Sequence, residues 1–89
     1  MGKPMFPNPM NPYATIKYTI ATPGKVRLRV FDVSGRVVRT LVDETKTAGA
    51  YSLTWDGKND RGEALASGVF FYQLNAPGSE FNKKIVILR

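Results

Sequence analysis

Apolar residues recur in short runs that alternate with polar ones, and none keeps helical spacing over a useful length. Over 15–20, Ile16, Tyr18 and Ile20 fall on one side of an extended chain and Thr15, Lys17 and Thr19 on the other. Residues 25–31 repeat the pattern, with Val26, Leu28 and Val30 inward and Lys25, Arg27 and Arg29 outward. A third strand is predicted over 36–42, where the doublets Val37-Val38 and Leu41-Val42 break the alternation and suggest a bulge or a sheet edge. Residues 51–55 place Tyr51, Leu53 and Trp55 on one face, 69–74 is dense in strand formers, and 81–88 is the last strand.

Turn chemistry separates these runs. Thr22-Pro23-Gly24 reverses the chain, and Asp32-Val33-Ser34-Gly35 reads as a hairpin loop in which Gly35 takes positive φ. A polar loop is predicted over 43–47, closing at Ala48-Gly49. Asp56-Gly57-Lys58-Asn59-Asp60-Arg61-Gly62 is the strongest turn signal, and Glu63-Ala64-Leu65-Ala66 is too short for an independent helix. Ala76-Pro77-Gly78-Ser79 makes the final turn. Short strands at regular spacing, punctuated by Gly and Pro, predict a sandwich of antiparallel sheets. Its expected core is Ile16, Tyr18, Ile20, Val26, Leu28, Val30, Tyr51, Leu53, Trp55, Tyr72 and Leu74.

Residues 4–12 differ. Pro4, Pro7, Pro9 and Pro12 forbid helix and remove donors that a central strand needs, so 1–12 is expected to be an extended entry segment. Phe6 and Met10 are its available anchors, and 13–89 is the expected sandwich domain.

Composition narrows the chemistry. The 89 residues suffice for one domain. With no Cys and no His, disulfides, thiol nucleophiles, zinc centres, imidazole catalysis and haem ligation through His are excluded. The Met1-Gly2-Lys3-Pro4 start precedes no apolar stretch, so no signal peptide is expected, and no run approaches a membrane span.

The quoted order also carries a resemblance. It runs Phe6-Pro7-Asn8-Pro9-Met10-Asn11-Pro12, then Val26-x-Leu28-x-Val30-Phe31-Asp32-x-x-Gly35-Arg36-x-Val38 and Leu41-Val42-Asp43. Ala48-Gly49-x-Tyr51-x-x-x-Trp55-Asp56-Gly57, Asn59-Asp60-x-Gly62 and Ala66-Ser67-Gly68-Val69-Phe70-Phe71-Tyr72-x-Leu74 follow. The series ends on Lys83, Lys84, Ile85, Val86, Ile87, Leu88 and Arg89. This pattern resembles the type A C-terminal sorting domains of proteins exported by the type IX secretion system, and is similar to the immunoglobulin-like domain of the flagellar hook-capping protein. Met10 departs from the aromatic usual at that position, but a flexible thioether fills the same space.

The resemblance implies an all-β, immunoglobulin-like antiparallel sandwich of about seven strands. It also implies a non-catalytic C-terminal module of a larger secreted or cell-surface protein. Such a module is read by the secretion translocon and sortase-like components, follows upstream domains of its parent, and is often removed while the cargo is anchored to lipopolysaccharide. Recognition is then expected at residues 83–89, whose apolar run would offer an edge for strand addition. An accessory carbohydrate- or surface-binding module of an extracellular enzyme and a hook-cap-like structural domain are the alternatives.

Other candidates have simpler explanations. Asp56, Asn59 and Asp60 suggest calcium, but Lys58 and Arg61 occupy positions where ligands should stand, and Asx turns account for the same residues. No metal or other cofactor is expected. Asp56 with Asp60, or Glu63 with Glu80, form nominal carboxylate pairs, yet a sandwich this small rarely builds the cleft that such catalysis needs. Lys25, Arg27 and Arg29, joined by Arg36 and Arg39, predict a basic face within a net charge of +6. That face suits an anionic glycan or lipopolysaccharide, or serves only solubility and edge protection. Nucleic acid is not expected, because the aromatics alternate into the core instead of forming a stacking platform. Three aromatics in succession at 70–72 put at least one on the outer face, expected to pack under a loop or the proline segment.

Overall fold

The computed structural model describes residues 14–88. Among them the chain forms six strands: β1 (Ala14–Ile20), β2 (Gly24–Phe31), β3 (Val37–Lys46), β4 (Gly49–Trp55), β5 (Gly68–Ala76) and β6 (Ser79–Ile87). β1 and β4 make a two-stranded sheet, and the other sheet has the order β3-β2-β5-β6. All pairings are antiparallel. The antiparallel sandwich expected from alternation, immunoglobulin-like as the resemblance implies, is therefore present, with six described strands instead of about seven. Residues 1–13, with Phe6 and Met10, and Arg89 of the expected recognition segment lie outside the described residues.

Period-two patterning puts Ile16, Tyr18 and Ile20 of β1 against Val26, Leu28 and Val30 of β2 and Phe70, Tyr72 and Leu74 of β5 in one buried cluster. Trp55 meets Phe70 edge-on with ring centroids 6.1 Å apart, and Tyr18 stacks on Tyr51 at 5.4 Å. Val42, Phe70 and Ile87 join the core, whereas Tyr51 and Leu53 are only half-buried. The reason for the second difference is geometric: β4 belongs to a sheet of two strands, so among the described residues no third strand shields its flank.

β3 departs from the sequence expectation at both ends. It begins at Val37, and Asp43, Glu44, Thr45 and Lys46 continue it instead of forming a loop, because they pair with Arg27, Val26, Lys25 and Gly24. Their polar character reflects an edge strand open to solvent on one side. The expected irregularity is real. Register shifts fall between Leu28 and Arg29 and between Val30 and Phe31, leaving Leu41 and Val38 as the extra residues. These two bulges turn Arg39 to the inner side, opposite Val30.

The hairpin after β2 is closed by its own aspartate. Asp32 Oδ1 accepts hydrogen bonds from Ser34 N at 2.9 Å, Ser34 Oγ at 2.6 Å and Arg36 N at 3.0 Å, and Gly35 has φ of 89°. Pro77 and Gly78 turn β5 into β6, with Gly78 at φ 72°.

Candidate functional site

Three regions hold the residues singled out by sequence: the loop after β4, the outer face of the four-stranded sheet, and β6.

The loop is a brace. Asp56 Oδ1 accepts from Lys58 N at 3.1 Å and Arg39 Nη1 at 3.3 Å, while Asn59 Oδ1 accepts from Arg61 N at 2.9 Å and Glu63 N at 3.0 Å. Trp55 Nε1 donates to the Lys58 carbonyl at 3.0 Å, anchoring the loop to the core. Asp60 then covers the edge of β3: its N–H donates to the Val38 carbonyl, and its Oδ1 accepts from Thr40 N, each at 3.0 Å. Arg39 Nε lies 3.8 Å from the same Asp60 oxygen. A guanidinium thus occupies the space between the two carboxylates of the Asp56–Asp60 pair. Glu63 bonds Asn59 within this loop, whereas Glu80 on β6 receives Asn75, so the fold sets those two acids at opposite edges of the sheet. Among the described residues, no cluster of three or more acidic, His or Cys side chains could hold a metal ion.

The basic residues divide among different surroundings. Lys25 and Arg27 point outward from β2, and Lys25 pairs with Asp43 at 3.2 Å. Arg29 is half-buried, with its guanidinium 5.3 Å from the centre of the Phe31 ring and its Nη2 donating to Gln73 Oε1 at 3.5 Å. Arg36 stays at the hairpin, pairing with Asp32 at 3.1 Å. Arg39 leaves the outer face altogether, a displacement caused by the bulges on either side of it. The expectation that all five share one face is therefore corrected to three in a row on β2.

Alternation on β2 and β5 brings Phe31 and Phe71 side by side on the outer face, and the neighbouring register row is Arg29, Gln73 and Asn82. Lys84 stands opposite Phe71. Sequence reading singled out neither Gln73 nor Asn82. Their signal was available in the outward phase of Arg29, Phe31, Phe71 and Gln73, once β2 and β5 are known to be neighbours.

β6 is an edge strand of its sheet among the described residues, and its pairing with β5 runs without a shift from Gly68↔Ile87 to Ala76↔Ser79. Lys83 and Ile85 point inward with Tyr72 and Phe70, while Lys84 and Val86 point outward. Phe81 touches Tyr72 edge-on at 6.3 Å.

Ionisation follows these surroundings. Hydrogen bonds from Ser34 and Arg36 hold the Asp32 carboxyl at about 2, below its ordinary 3.8. Burial raises Tyr18 and Tyr72, and the bond that Lys46 donates to Glu44 raises Lys46, whose ammonium also lies 4.6 Å from the centre of the Tyr51 ring. Among the described residues, no helix is long and apolar enough to cross a membrane.

Comparison with known proteins agrees with this architecture. The chain is 38% identical over 52 residues to the basal-body rod modification protein FlgD of Salmonella typhimurium, a stretch covering 58% of this chain and 22% of that protein. The FlgD of Salmonella typhi matches to the same extent. The chain thus spans about a fifth of the length of these relatives. Among solved structures, dimeric latent PorU from Porphyromonas gingivalis superposes with a TM-score of 0.65 at 22% identity, over 93% of this chain and 9% of that one. FlgD from P. aeruginosa gives 0.59 at 21% identity, over 85% of this chain and 61% of that one. Both likenesses concern the fold. The FlgD Ig-like domain family matches residues 13–80, most of the chain, and the domain belongs to that family.

Proposed function

We propose that this domain is a non-catalytic recognition module of a larger secreted or surface protein, a sorting and attachment signal read by the type IX secretion machinery. The observation that carries the reading is β6, an uninterrupted edge strand with its outer side chains accessible and, among the described residues, no loop across it comparable to the one over β3. Such an edge lets a receptor add a strand through main-chain bonds while the side chains at 83–89 set specificity. The carboxylates support the non-catalytic part, being tied into turns, ion pairs and an edge cover.

The test is a reporter carrying this chain at its C-terminus in a type IX-competent host. Removing residues 83–89 is expected to strand the fusion in the periplasm. Undiminished export would overturn the sorting role.

A second reading is favoured by the 38% identity to FlgD: a structural Ig-like domain of a hook-cap-like scaffold. It requires ordered self-association of the parent protein, which sedimentation velocity detects, and it leaves the truncated reporter unaffected.

A further inference from the structure

We infer that the outer face of the four-stranded sheet is a binding site for an acidic saccharide. The site is built from two adjacent register rows. One carries Phe31 and Phe71, directly paired between β2 and β5, with Lys84 beyond them on β6. The other carries Arg29, Gln73 and Asn82. Together with Asp32, Val33 and Gly35 of the hairpin, Phe31, Phe71, Gln73 and Asn82 enclose a shallow cleft of about 380 Å³. That size lies within the range of small-ligand sites.

The two rows match the two sides of a sugar. A pyranose has an apolar C–H face that lies well on aromatic rings, and a rim of hydroxyls that needs donors and acceptors beside those rings. Phe71 is 38% exposed although it belongs to a pair of rings at the middle of a sheet. The amides of Gln73 and Asn82 stand one row away. Gln73 presents its carbonyl to Arg29, which leaves its NH₂ group to donate.

Charge selects an acidic sugar. On this face Asp43 is paired with Lys25, Asp32 with Arg36, and Glu80 accepts from Asn75. Arg27 and Lys84 have no acidic partner among the described residues. Arg29 is short of acceptors: its Nε is buried without one, and its bond to Gln73 is long at 3.5 Å. A carboxylate or sulfate on the ligand would complete this guanidinium at its outer nitrogens. The guanidinium carbon of Arg29 lies 5.3 Å from the centre of the Phe31 ring, which holds the charge beside the cleft.

Exposed Val33, Val37, Val69 and Val86 frame the rings, and they would equally suit an apolar peptide. The sugar is favoured because the cleft extends over the row of Arg29, Gln73 and Asn82, two amides and a guanidinium, whereas the aliphatic Val69 and Val86 lie in the row on the other side of the rings.

The experiment is an amide-resolved NMR titration of the 89-residue chain with trigalacturonate, maltotriose and a peptide of alternating Glu and Val. Trigalacturonate is expected to shift Phe31, Phe71, Gln73, Asn82 and Lys84, with maltotriose about tenfold weaker for lack of the charged bonds. Phe71→Ala is expected to weaken trigalacturonate about fivefold, the worth of an aromatic contact, with the unfolding midpoint unchanged. Gln73→Ala is expected to act in the same direction, and Arg61→Ala, on the loop, to leave affinity as it was. Four results overturn the site: shifts centred elsewhere, full affinity in Phe71→Ala, tighter binding of the peptide at the same residues, or no shifts up to about 10 mM sugar, the weak limit of a meaningful affinity.

Discussion

Arg39 Nη1 lies 3.3 Å from Asp56 Oδ1, which joins an edge strand of one sheet to the loop that leaves the other. The same nitrogen reaches the Lys58 carbonyl at 3.0 Å, and Trp55 Nε1 donates to that carbonyl too. One guanidinium therefore closes the end of the sandwich over its largest core side chain.

Arg39→Ala is expected to destabilise the domain by about 1–3 kcal/mol, because it strips part-buried acceptors of a charged donor. Urea unfolding measures the loss. Combined with Asp56→Ala, the cost is expected to fall short of the sum of the two single changes, since they share one interaction. Additive costs would show that the two side chains act separately.

How much of this was legible beforehand depends on the local pattern. Strict alternation at Ile16, Tyr18 and Ile20, and at Val26, Leu28 and Val30, specifies which face is buried, and the structure buries those six. Phe70, Phe71 and Tyr72 are all apolar, so the run holds no information about phase, and Phe70 went unassigned to the core. Polarity hid the second half of β3, where edge residues from Asp43 to Lys46 read like a loop. The fate of Arg39 was illegible for a different reason. Doublets announced a bulge, but which residue is squeezed out, and therefore which way Arg39 points, is settled by the partner strand. The outer-face site required knowing that β2 lies beside β5, a relation made by distant segments.

Gly24 carries a packing constraint visible only in three dimensions. A Cβ built there would come within 2.6 Å of Pro77 Cγ, at a backbone φ of 155°. Gly24→Ala is expected to cost about 1–3 kcal/mol from overpacking against a rigid ring. Pro77→Ala in the same chain is expected to restore part of the loss, measured by the shift in thermal midpoint. No recovery would mean that backbone conformation alone sets the penalty.

Acid stability is expected to depend on Asp32. Its carboxyl titrates at about 2 in the folded domain against an ordinary 3.8, so the folded state favours the ionised form. The stabilisation is complete above 3.8 and is lost as pH falls through about 2. Thermal midpoints of Asp32→Asn are expected to vary less over that interval than those of the parent chain. Parallel profiles would remove Asp32 from the acid response.

Leu74, fully buried on β5, tests the core directly. Leu74→Ala is expected to cost about 2–5 kcal/mol, the range for an unfilled buried leucine site. Fluorescence of Trp55, itself 1% exposed, reports the transition. A cost below about 1 kcal/mol would mean that the surrounding strands collapse into the space.

The order of pairing has a consequence for synthesis. β2 gains its second neighbour only when Phe71 to Asn75 come to pair with Phe31 to Arg27, and β1 meets its one described neighbour only when Gly49 to Trp55 are available. A ribosome must release nearly all of β5 before Val26, Leu28 and Val30 are enclosed, so shorter nascent chains expose an adhesive strip with nothing to cover it. Folding is in that sense a late event in the synthesis of this domain itself, and a polypeptide interrupted ahead of β5 cannot settle for part of the fold.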